Sequence, residues 1–426
     1  MSASLVLNSG LTSFADNTTR YVSIIGGLST GNPTEAQAEH GIYEAGTFSK
    51  LYTSVLANTI TGNVVATLRK SGVNTALTVT YGTGQTGSKE DTTNTATYAA
   101  TDTASLQVVA PSDPSGVQTI DLNITGLVFT PTDTSKTITF LGSARNATNI
   151  TNASTSRYMA VAGPPSAVSS TTSAQWRVPG TFTARNLRTH VSANARTTDT
   201  VFSSHKNGSA GALTLTYTSG QTGTKEDTTH TDSLVADDEF QFVVVTNAGT
   251  ETLTLRAIGC DLASPADQFA MFAQDAGGEG LSASTVYISP GGDLVDVFAD
   301  TESKTQQPAR MALTVSRLTA SVASNTLDSA TDITFRTGNA DTALTISYAA
   351  TETGVKADTT HSASVSTTDV IATKIVAAGA GTITFRYFSA LATLAGGTSS
   401  TPSAGALTFA GLAGFLGFTI NMPDEL

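Results

Sequence analysis

Hydrophobic and polar residues alternate along several short segments of the chain. At positions 77–81 the apolar residues stand at every second position with threonine between them, which places the apolar side chains on one face of a strand and the threonines on the other. The segments at 253–255 and 333–335 alternate in the same way. A sheet with one apolar and one polar face is usually antiparallel, and two apolar faces bury each other. The pattern therefore predicts an all-β protein built of antiparallel β-sandwiches.

A turn-rich segment that follows the first of these strands occurs three times in the sequence. It reads GQTGSKEDTT at 84–93, GQTGTKEDTT at 220–229 and, more loosely, TGVKADTT at 353–360. Two further positions recur with the same offsets of 136 and 131 residues: Tyr81, Tyr217 and Tyr348, and Asp102, Asp238 and Asp369. Repetition over this length indicates one structural unit that is built three times along the chain.

The repeats predict three tandem domains of about 110 residues, the usual size of one sandwich. The predicted boundaries are an N-terminal arm at 1–20, repeats at 21–146, 157–264 and 283–394, linkers at 147–156 and 265–282, and a C-terminal assembly segment at 395–426. We assign 137–140 as the closing strand of the first repeat, equivalent to 252–255 and 382–385. This alignment leaves the first repeat with roughly twenty extra residues, which a long loop accommodates at little entropic cost.

The repeated segment contains glycines and a lysine, as phosphate-binding loops do. Such a loop has its lysine directly before Ser or Thr and stands between a strand and a helix, whereas this segment is followed by more strand-like sequence. We therefore interpret it as a structural turn, with glycines at positive φ, aspartates that bond nearby backbone amides, and lysines paired with the aspartates. These residues are Gly87, Lys89 and Asp91, Gly223, Lys225 and Asp227, and Gly354, Lys356 and Asp358. The alternative is a calcium site that combines Asp91 and Asp102 or their counterparts.

Charge and composition narrow the possible partners. The net charge is −12 and only 13% of residues are charged, which opposes binding to nucleic acid because phosphate contacts need clusters of Lys and Arg. The single cysteine, Cys260, excludes an intrachain disulfide and a multi-cysteine metal site. The apolar stretch at 405–420 is interrupted by glycines and is shorter than the roughly 20 residues of a membrane span. Because residues 1–20 lack a secretory signal pattern, we expect folding in a cytoplasm, without cofactor, nucleic acid or membrane.

No set of residues predicts catalysis. The five histidines occupy different repeat positions, except that His230 and His361 are equivalent and Asn94 stands in their place in the first repeat. This combination indicates a solvent-exposed position, since a catalytic histidine needs a defined partner geometry. We interpret Cys260 as a small buried apolar residue, and Trp176, which we align with Tyr43, as an anchor of a core or of a contact between domains.

Three consecutive glycosylation sequons begin at Asn146, Asn149 and Asn152, where the first two repeats are joined. A linker rich in Thr and Asn generates such sequons by accident, and this is the simpler interpretation. N-glycosylation is the alternative, and it requires a host that modifies asparagine.

The repeated motif, followed by a short strand, an Asp turn and another strand, resembles a module of structural proteins of tailed bacteriophages. The resemblance extends over each repeat, and so over most of residues 21–394. Modules of this kind are similar to small jelly-roll-like sandwiches in head-decoration, head-fibre and tail-associated proteins. The resemblance implies a non-enzymatic component of the virion.

Such a component is expected to bind other virion proteins and to assemble symmetrically, most often as a trimer. The segments outside the repeat are the candidates for attachment, with Phe409, Phe415 and Phe418 as candidate contacts. One alternative is an adhesin that stacks sugars on exposed aromatics such as Tyr43, Tyr52, Trp176 or Tyr387. The other is a subunit of a filament or surface layer.

Overall fold

The computed structural model describes residues 2–25, 31–112, 118–143, 148–151, 155–162, 174–247, 249, 251–264, 267–293 and 298–395. The regular elements of this part of the chain are β-strands and two 3₁₀ turns. Over the same residues, no helix has the length and apolar character needed to cross a membrane. The strands fall into three consecutive runs, which we call units 1, 2 and 3.

Units 1 and 2 each begin with a strand that lies at the end of one sheet, and the first strand of unit 3 has a two-residue strand paired on its outer side. Unit 1 contains β1 (Ser4–Ala15), β2 (Thr18–Val22), β3 (His40–Gly41), β4 (Gly46–Asn58), β5 (Val64–Lys70), β6 (Val73–Tyr81), β7 (Gly87–Tyr98), β8 (Thr103–Ala110) and β9 (Thr119–Pro131), with a 3₁₀ turn at Glu35–Gln37. Unit 2 contains β10 (Thr137–Ser143), β11 (Thr148–Ile150), β12 (Thr155–Met159), β13 (Trp176–Arg177), β14 (Phe182–Asn194), β15 (Thr200–Lys206), β16 (Ser209–Tyr217), β17 (Gly223–Leu234), β18 (Glu239–Thr246) and β19 (Leu253–Ser264). Unit 3 contains β20 (Gln268–Ile288), β21 (Gly292–Asp293), β22 (Gln307–Pro308), β23 (Leu313–Asn325), β24 (Thr331–Thr337), β25 (Ala340–Tyr348), β26 (Gly354–Val365) and β27 (Val370–Leu394), with a 3₁₀ turn at Glu302–Lys304.

The same strand order builds two sheets in every unit. In unit 1 the orders are β1-β9-β4-β7 and β2-β8-β5-β6, and in unit 2 they are β10-β19-β14-β17 and β12-β18-β15-β16. In unit 3 the long strands β20 and β27 run through both sheets, so the orders are β20-β27-β23-β26, with the two-residue β21 paired outside β20, and β20-β27-β24-β25. Eight strands in two sheets with this order form a jelly roll. The predicted all-β sandwich class is confirmed.

The alternating pattern of the sequence is the burial pattern of the strands. In β6, Leu77, Val79 and Tyr81 are buried, whereas Thr78 and Thr80 between them are exposed. The apolar face closes the core between the two sheets, and the threonines face water, where a β-branched polar residue suits an extended strand. β16 and β25 have nearly the same pattern at the equivalent positions.

Residues 137–140 do not close unit 1, as the sequence alignment assumed. They lie in β10, where Ile138 pairs with Ala263 of β19, so this strand belongs to unit 2. The true closing strands share a register in which an apolar residue lies opposite an asparagine: Ile120 opposite Asn58, Leu253 opposite Asn194, and Ile383 opposite Asn325. The predicted long insertion in the first repeat is therefore wrong. The first and last strands of a jelly roll are neighbours with the same alternation, which makes their sequences easy to confuse.

The predicted arm and linkers also contain strands. Residues 1–20 hold β1 and most of β2, the first strands of the two sheets of unit 1. The predicted linker at 147–156 contains β11 and the start of β12, and the one at 265–282 contains the first 15 of the 21 residues of β20. The described units are therefore joined by shorter connections than the repeat alone indicated. Apart from residue 395, the predicted assembly segment at 395–426, with Phe409, Phe415 and Phe418, lies outside the described residues.

The three units close into a ring. Their first strands, β1, β10 and β20, contact one another. One equivalent position in these strands enters the core of a neighbouring unit: Leu5 of unit 1 packs in the core of unit 3, Phe140 of unit 2 in the core of unit 1, and Ala270 of unit 3 in the core of unit 2. Because this order is cyclic, the units surround an approximate three-fold axis.

A cavity of about 20 Å³ marks the centre of the ring. Its lining includes two sets of equivalent residues: Leu5, Phe140 and Ala270, and Ile25, Ala162 and Gly291. A space of this size holds no more than one water molecule. The centre of the ring is therefore packed and does not form a channel.

Candidate functional site in the repeated loop and the unit interfaces

The aspartate of the repeated motif binds the edge of a neighbouring strand. In unit 1, the Asp91 carboxylate accepts hydrogen bonds from the backbone N–H groups of Thr78 at 3.1 Å, Thr93 at 3.1 Å and Asn94 at 3.0 Å. Burial raises the pKa of Asp91, but these bonds and one from the Asn94 side chain more than offset it and lower the pKa to about 2. Asp91 is therefore a buried, ionised acceptor.

The other two units repeat this arrangement. Asp227 accepts from the N–H of Thr214 at 3.0 Å, and Asp358 from the N–H of Thr345 at 3.0 Å. Their pKa values are likewise lowered to about 2, against the opposing effect of burial. At the place of Asn94, the side chains of His230 and His361 are more than half exposed and place Nδ1 3.0 Å and 2.9 Å from the carboxylates. These histidines take part in the turn.

The lysine of the motif does not pair with the aspartate, so the predicted Lys89–Asp91 ion pair and its counterparts are wrong. Lys89 Nζ donates to the Thr80 carbonyl at 2.7 Å and lies 5.2 Å from the ring centroid of Tyr81. The same partners recur in the other copies: Lys225 with the Thr216 carbonyl and the Tyr217 ring, and Lys356 with the Ser347 carbonyl and the Tyr348 ring. A carbonyl and an aromatic face offer this amine a closer set of partners than a carboxylate that is already saturated with N–H donors.

Lys89 and Asp91 together close an open sheet edge. β6 is the last strand of its sheet, so the outward N–H of Thr78 and C=O of Thr80 have no strand beside them. Asp91 accepts from the first and Lys89 donates to the second. An uncovered edge of this kind would pair with another chain. The motif is therefore a device that satisfies the edge with side chains and blocks strand addition.

Asn58 holds the turn that precedes the motif, a role that the sequence analysis missed. Its side-chain N–H group donates to the carbonyls of Gly82 and Gln85, each at 3.1 Å. The equivalent residues, Asn194 and Asn325, make the same two bonds in their units. The signal was present in the sequence, because these asparagines are also 136 and 131 residues apart. The motif glycines that follow have positive φ, of 82° at Gly87, 92° at Gly223 and 98° at Gly354.

Asp91 and Asp102 are committed to different turns. Asp102 accepts from the Ala99 N–H at 2.6 Å and pairs with Lys70 at 3.0 Å. Among the described residues no group of three or more His, Cys, Asp or Glu side chains is placed to hold a metal ion.

Charged side chains cross the interface between units 1 and 2. Glu44 lies 3.0 Å from Arg185 and 3.5 Å from Lys136. Arg188 lies 3.4 Å from Glu226 of its own unit and 3.9 Å from Glu39 of unit 1. These groups are only partly exposed, so their attraction is screened less than that of surface pairs.

His40 is buried in the same interface. Its Nε2 atom lies 3.5 Å from Asp261 Oδ1, and its ring meets Phe140 edge-on with a centroid distance of 5.3 Å. In the strand register His40 is equivalent to Trp176 and Gln307, which also face neighbouring units. The predicted alignment of Trp176 with Tyr43 is therefore wrong by three positions.

Arg310 anchors the interface between units 1 and 3. Its guanidinium lies 5.1 Å from the ring centroid of Tyr52 and pairs with Glu90, both in unit 1. Burial lowers the pKa of Arg310 to about 10. Lys50 donates to the Arg310 carbonyl at 2.8 Å, so both the side chain and the backbone of Arg310 are held.

The interface between units 2 and 3 contains an aromatic contact and a buried amide. Trp176 is fully buried with its ring 5.5 Å from that of Phe272. Gln274 accepts from the Val161 N–H at 3.0 Å and donates to the Ala174 carbonyl at 2.9 Å. This interface completes the ring, because it joins unit 2 to unit 3.

An equivalent β-bulge occurs in each unit, and in units 1 and 3 its residue bonds a neighbouring unit. Lys50, Asn186 and Arg317 lie in the bulges of β4, β14 and β23, with φ of 55°, 59° and 53°. Lys50 bonds unit 3, and Arg317 bonds Asp237 of unit 2 at 2.9 Å. Left-handed backbone at Lys and Arg is costly, by roughly 1 kcal/mol or more, and the sequence offers no sign of it.

The aromatic residues proposed for sugar stacking are not exposed. Tyr52, Trp176 and Tyr387 are 5%, 0% and 2% exposed, and Tyr43 is half-buried. All four lie at unit interfaces, where they pack against neighbouring side chains. The expectation of an adhesin surface built from them is therefore wrong.

The residues that could react or be modified, Cys260 and the sequon asparagines, can also be placed in the structure. Cys260 is fully buried, and burial raises the pKa of its thiol far above the usual range, which opposes reactivity. Of the three sequon asparagines, Asn149 is exposed on β11 and accepts from Thr254 at 2.9 Å, while Asn146 and Asn152 lie outside the described residues.

Comparisons with known proteins add little. No family model matches the chain, and no curated protein matches it. Among solved structures, that of Sulfolobus turreted icosahedral virus covers 83% of this chain and 81% of its own, with 14% identity and a TM-score of 0.17. A Paenibacillus xanthan lyase covers 66% of this chain and 30% of its own, with 11% identity and a TM-score of 0.17. The VP2 subviral particle of infectious bursal disease virus covers 92% of this chain and 81% of its own, with 10% identity and a TM-score of 0.13. Likenesses at such TM-scores carry no argument, so function is argued from the contacts above.

Proposed function

We propose that this chain is a non-enzymatic structural component of a virus particle of the phage type, acting as a decoration, fibre or tail-associated protein. The observation that carries the proposal is the cyclic exchange of Leu5, Phe140 and Ala270 between cores. Three jelly rolls that share their cores form a rigid block, because no unit can move without exposing apolar surface of another. A rigid, closed block suits a part that must hold its shape on a particle.

The residues that could carry chemistry serve the structure, and this supports a role without catalysis. His40 is buried beside Asp261, Cys260 is inside a core, and the motif aspartates are saturated by backbone N–H groups. A catalytic group needs access to substrate and a partner that is free to exchange a proton. Burial denies these groups access to substrate, and the bonds to the motif aspartates leave those carboxylates without a free partner.

The partners we propose are other virion proteins, without nucleic acid, membrane or cofactor. The net charge of −12 opposes nucleic acid. The expected trimer of chains has a counterpart within one chain, because three units already surround an axis. A mass measurement of the purified protein decides whether further copies associate.

The test is to look for the chain in purified particles of the virus that encodes it. Mass spectrometry of gradient-purified particles should detect it in a fixed ratio to the shell protein. Cryo-electron microscopy should then show density for a ring of three jelly rolls. Its absence from washed particles, with the protein found only in the infected cell, would contradict the proposal.

A further inference from the structure

A cleft of about 320 Å³ lies at the interface between units 2 and 3. Arg177 and Glu239 line it from unit 2, and Val355 and Arg386 line it from unit 3. Gly354 of the motif turn also lines the cleft and is exposed, so the cleft is open to solvent. Pockets that bind small molecules have volumes of roughly 300–1,000 Å³ and occur preferentially at interfaces between domains. The cleft is therefore a candidate ligand site.

One interface position that carries a long side chain in units 1 and 2 carries a short one in unit 3. Two residues after the bulge of each unit stand Tyr52, Arg188 and Thr319. Tyr52 contacts unit 3, where its ring meets the guanidinium of Arg310. Arg188 contacts unit 1, where it lies 3.9 Å from Glu39. Thr319 instead donates at 3.0 Å to a carbonyl of its own strand, so it does not replace these contacts.

The cleft is the space that such a side chain fills elsewhere in the ring. At the interface between units 1 and 3, the Tyr52 hydroxyl lies 2.6 Å from Ser88 Oγ and 3.3 Å from the Gln306 carbonyl. In the strand register Val355 is equivalent to Ser88. Gln175 is likewise equivalent to Gln306. Both equivalents line the cleft, so a group of the size of a tyrosine side chain fits between them.

The lining of the cleft is positively charged, although the chain has a net charge of −12. Arg177 and Arg386 supply two positive charges, and Glu239, opposite Arg177 in the strand pairing, offsets one of them. Among the described residues, no hydrogen-bond acceptor reaches the buried Nε of Arg177. Such a donor is costly to leave unbonded, and a guanidinium group binds a carboxylate through two parallel hydrogen bonds. Gly41 and Pro308 stand at the equivalent position in the other units, so this donor is specific to one interface.

We propose that the cleft between units 2 and 3 binds a small aromatic carboxylate, with the ring placed as Tyr52 is in the equivalent interface and the carboxylate against Arg177 and Arg386. This inference does not depend on the proposed role in a particle. One negative charge on the ligand balances the one positive charge that remains in the cleft. The ring covers the apolar side chains of Val322 and Val355, which favours binding. The bound ligand bridges units 2 and 3, as Tyr52 bridges units 1 and 3.

The experiment titrates the purified protein with 4-hydroxybenzoate in an isothermal titration calorimeter at pH 7. The uncharged 4-hydroxybenzamide, which has the same ring, is the matched ligand. Arg177→Gln removes the partner of the carboxylate, and Thr319→Tyr supplies the side chain that unit 1 has at this position. The control variant is Arg157→Gln, which removes the same charge from β12 of unit 2, outside the cleft. Thermal unfolding of each variant shows whether its fold is intact.

We expect saturable binding of 4-hydroxybenzoate at one site per chain, with an affinity about 10-fold or more above that of the amide. Arg177→Gln should lower the affinity by a similar factor, Thr319→Tyr should abolish binding, and Arg157→Gln should leave the affinity unchanged. Absence of binding, equal binding of the amide, or an unchanged affinity in folded Arg177→Gln would overturn the inference. If Thr319→Tyr does not fold, the comparison of Arg177→Gln with Arg157→Gln decides.

Discussion

The guanidinium of Arg310 lies over the ring of Tyr52, with 5.1 Å between its central carbon and the ring centroid. The interface between units 1 and 2 also pairs a tyrosine with an arginine, but the two residue types have changed places. Tyr43 of unit 1 stands at the position of Arg310, and Arg188 of unit 2 stands at the position of Tyr52. Burial raises the pKa of Tyr43, the charge of Glu226 raises it further, and the charge of Arg188 lowers it. The exchange selects neighbours, because units joined in the wrong order would bring arginine against arginine.

Removal of Glu90 should destabilise the ring strongly. Arg310 is 5% exposed at its side chain and would be left buried without its counter-charge, at a cost of about 3 kcal/mol. We expect Glu90→Ala to lower the urea midpoint of unfolding accordingly. The matched control is Glu226→Ala, which leaves Arg188 beside Glu39 and should cost about 1 kcal/mol. Equal losses in the two variants would show that Arg310 does not depend on Glu90.

The motif aspartates should make the fold sensitive to acid. Their folded pKa of about 2 lies below the ordinary 3.8, so the unfolded chain binds protons more readily. Each contributes roughly 2 kcal/mol that is fully present above pH 4 and lost as the pH falls toward 2. Asp91→Asn should reduce the loss of stability between pH 7 and pH 3, measured by denaturant unfolding at both values. The exposed Asp199→Asn serves as control, and an equal effect there would contradict the assignment.

Loss of the motif lysines should open the sheet edges to self-association. A variant with Lys89, Lys225 and Lys356 changed to Ala leaves the carbonyls of Thr80, Thr216 and Ser347 without their donors. We expect it to remain folded but to form larger species in size-exclusion chromatography with light scattering. A variant with Lys206, Lys304 and Lys374 changed to Ala has the same net charge and should behave like the unchanged protein. Association of both variants alike would point to charge alone.

Phe140 should stabilise unit 1 more than unit 2, although it belongs to strand β10 of unit 2. Its ring lies 5.1 Å from that of Phe129 and 6.1 Å from that of Phe48, both in unit 1. Phe140→Ala should cost about 3–5 kcal/mol. Hydrogen exchange should then show lost protection in β4 and β9, beyond that in β10. Loss confined to β10 and β19 would mean that the cores are separate.

The sequence predicted the strands and the repeat but not their closure into a ring. Alternation at 77–81 shows which side chains face the core, and a repeat this similar in sequence can be recognised without a structure. Which strand begins a unit was misassigned at 137–140, because first and last strands alternate alike and only long-range pairing distinguishes them. The interfaces were missed for a similar reason: His40, Trp176 and Gln307 share a place in the fold but no chemistry.

The central claim is that one chain closes its three units into a ring, and small-angle X-ray scattering of the purified protein tests it most directly. A compact chain of 426 residues should have a radius of gyration of about 22–25 Å. Three units joined only in sequence, as beads in a row, would give about 32 Å. The account predicts the smaller value at the mass of a single chain. The larger value at that mass would contradict it.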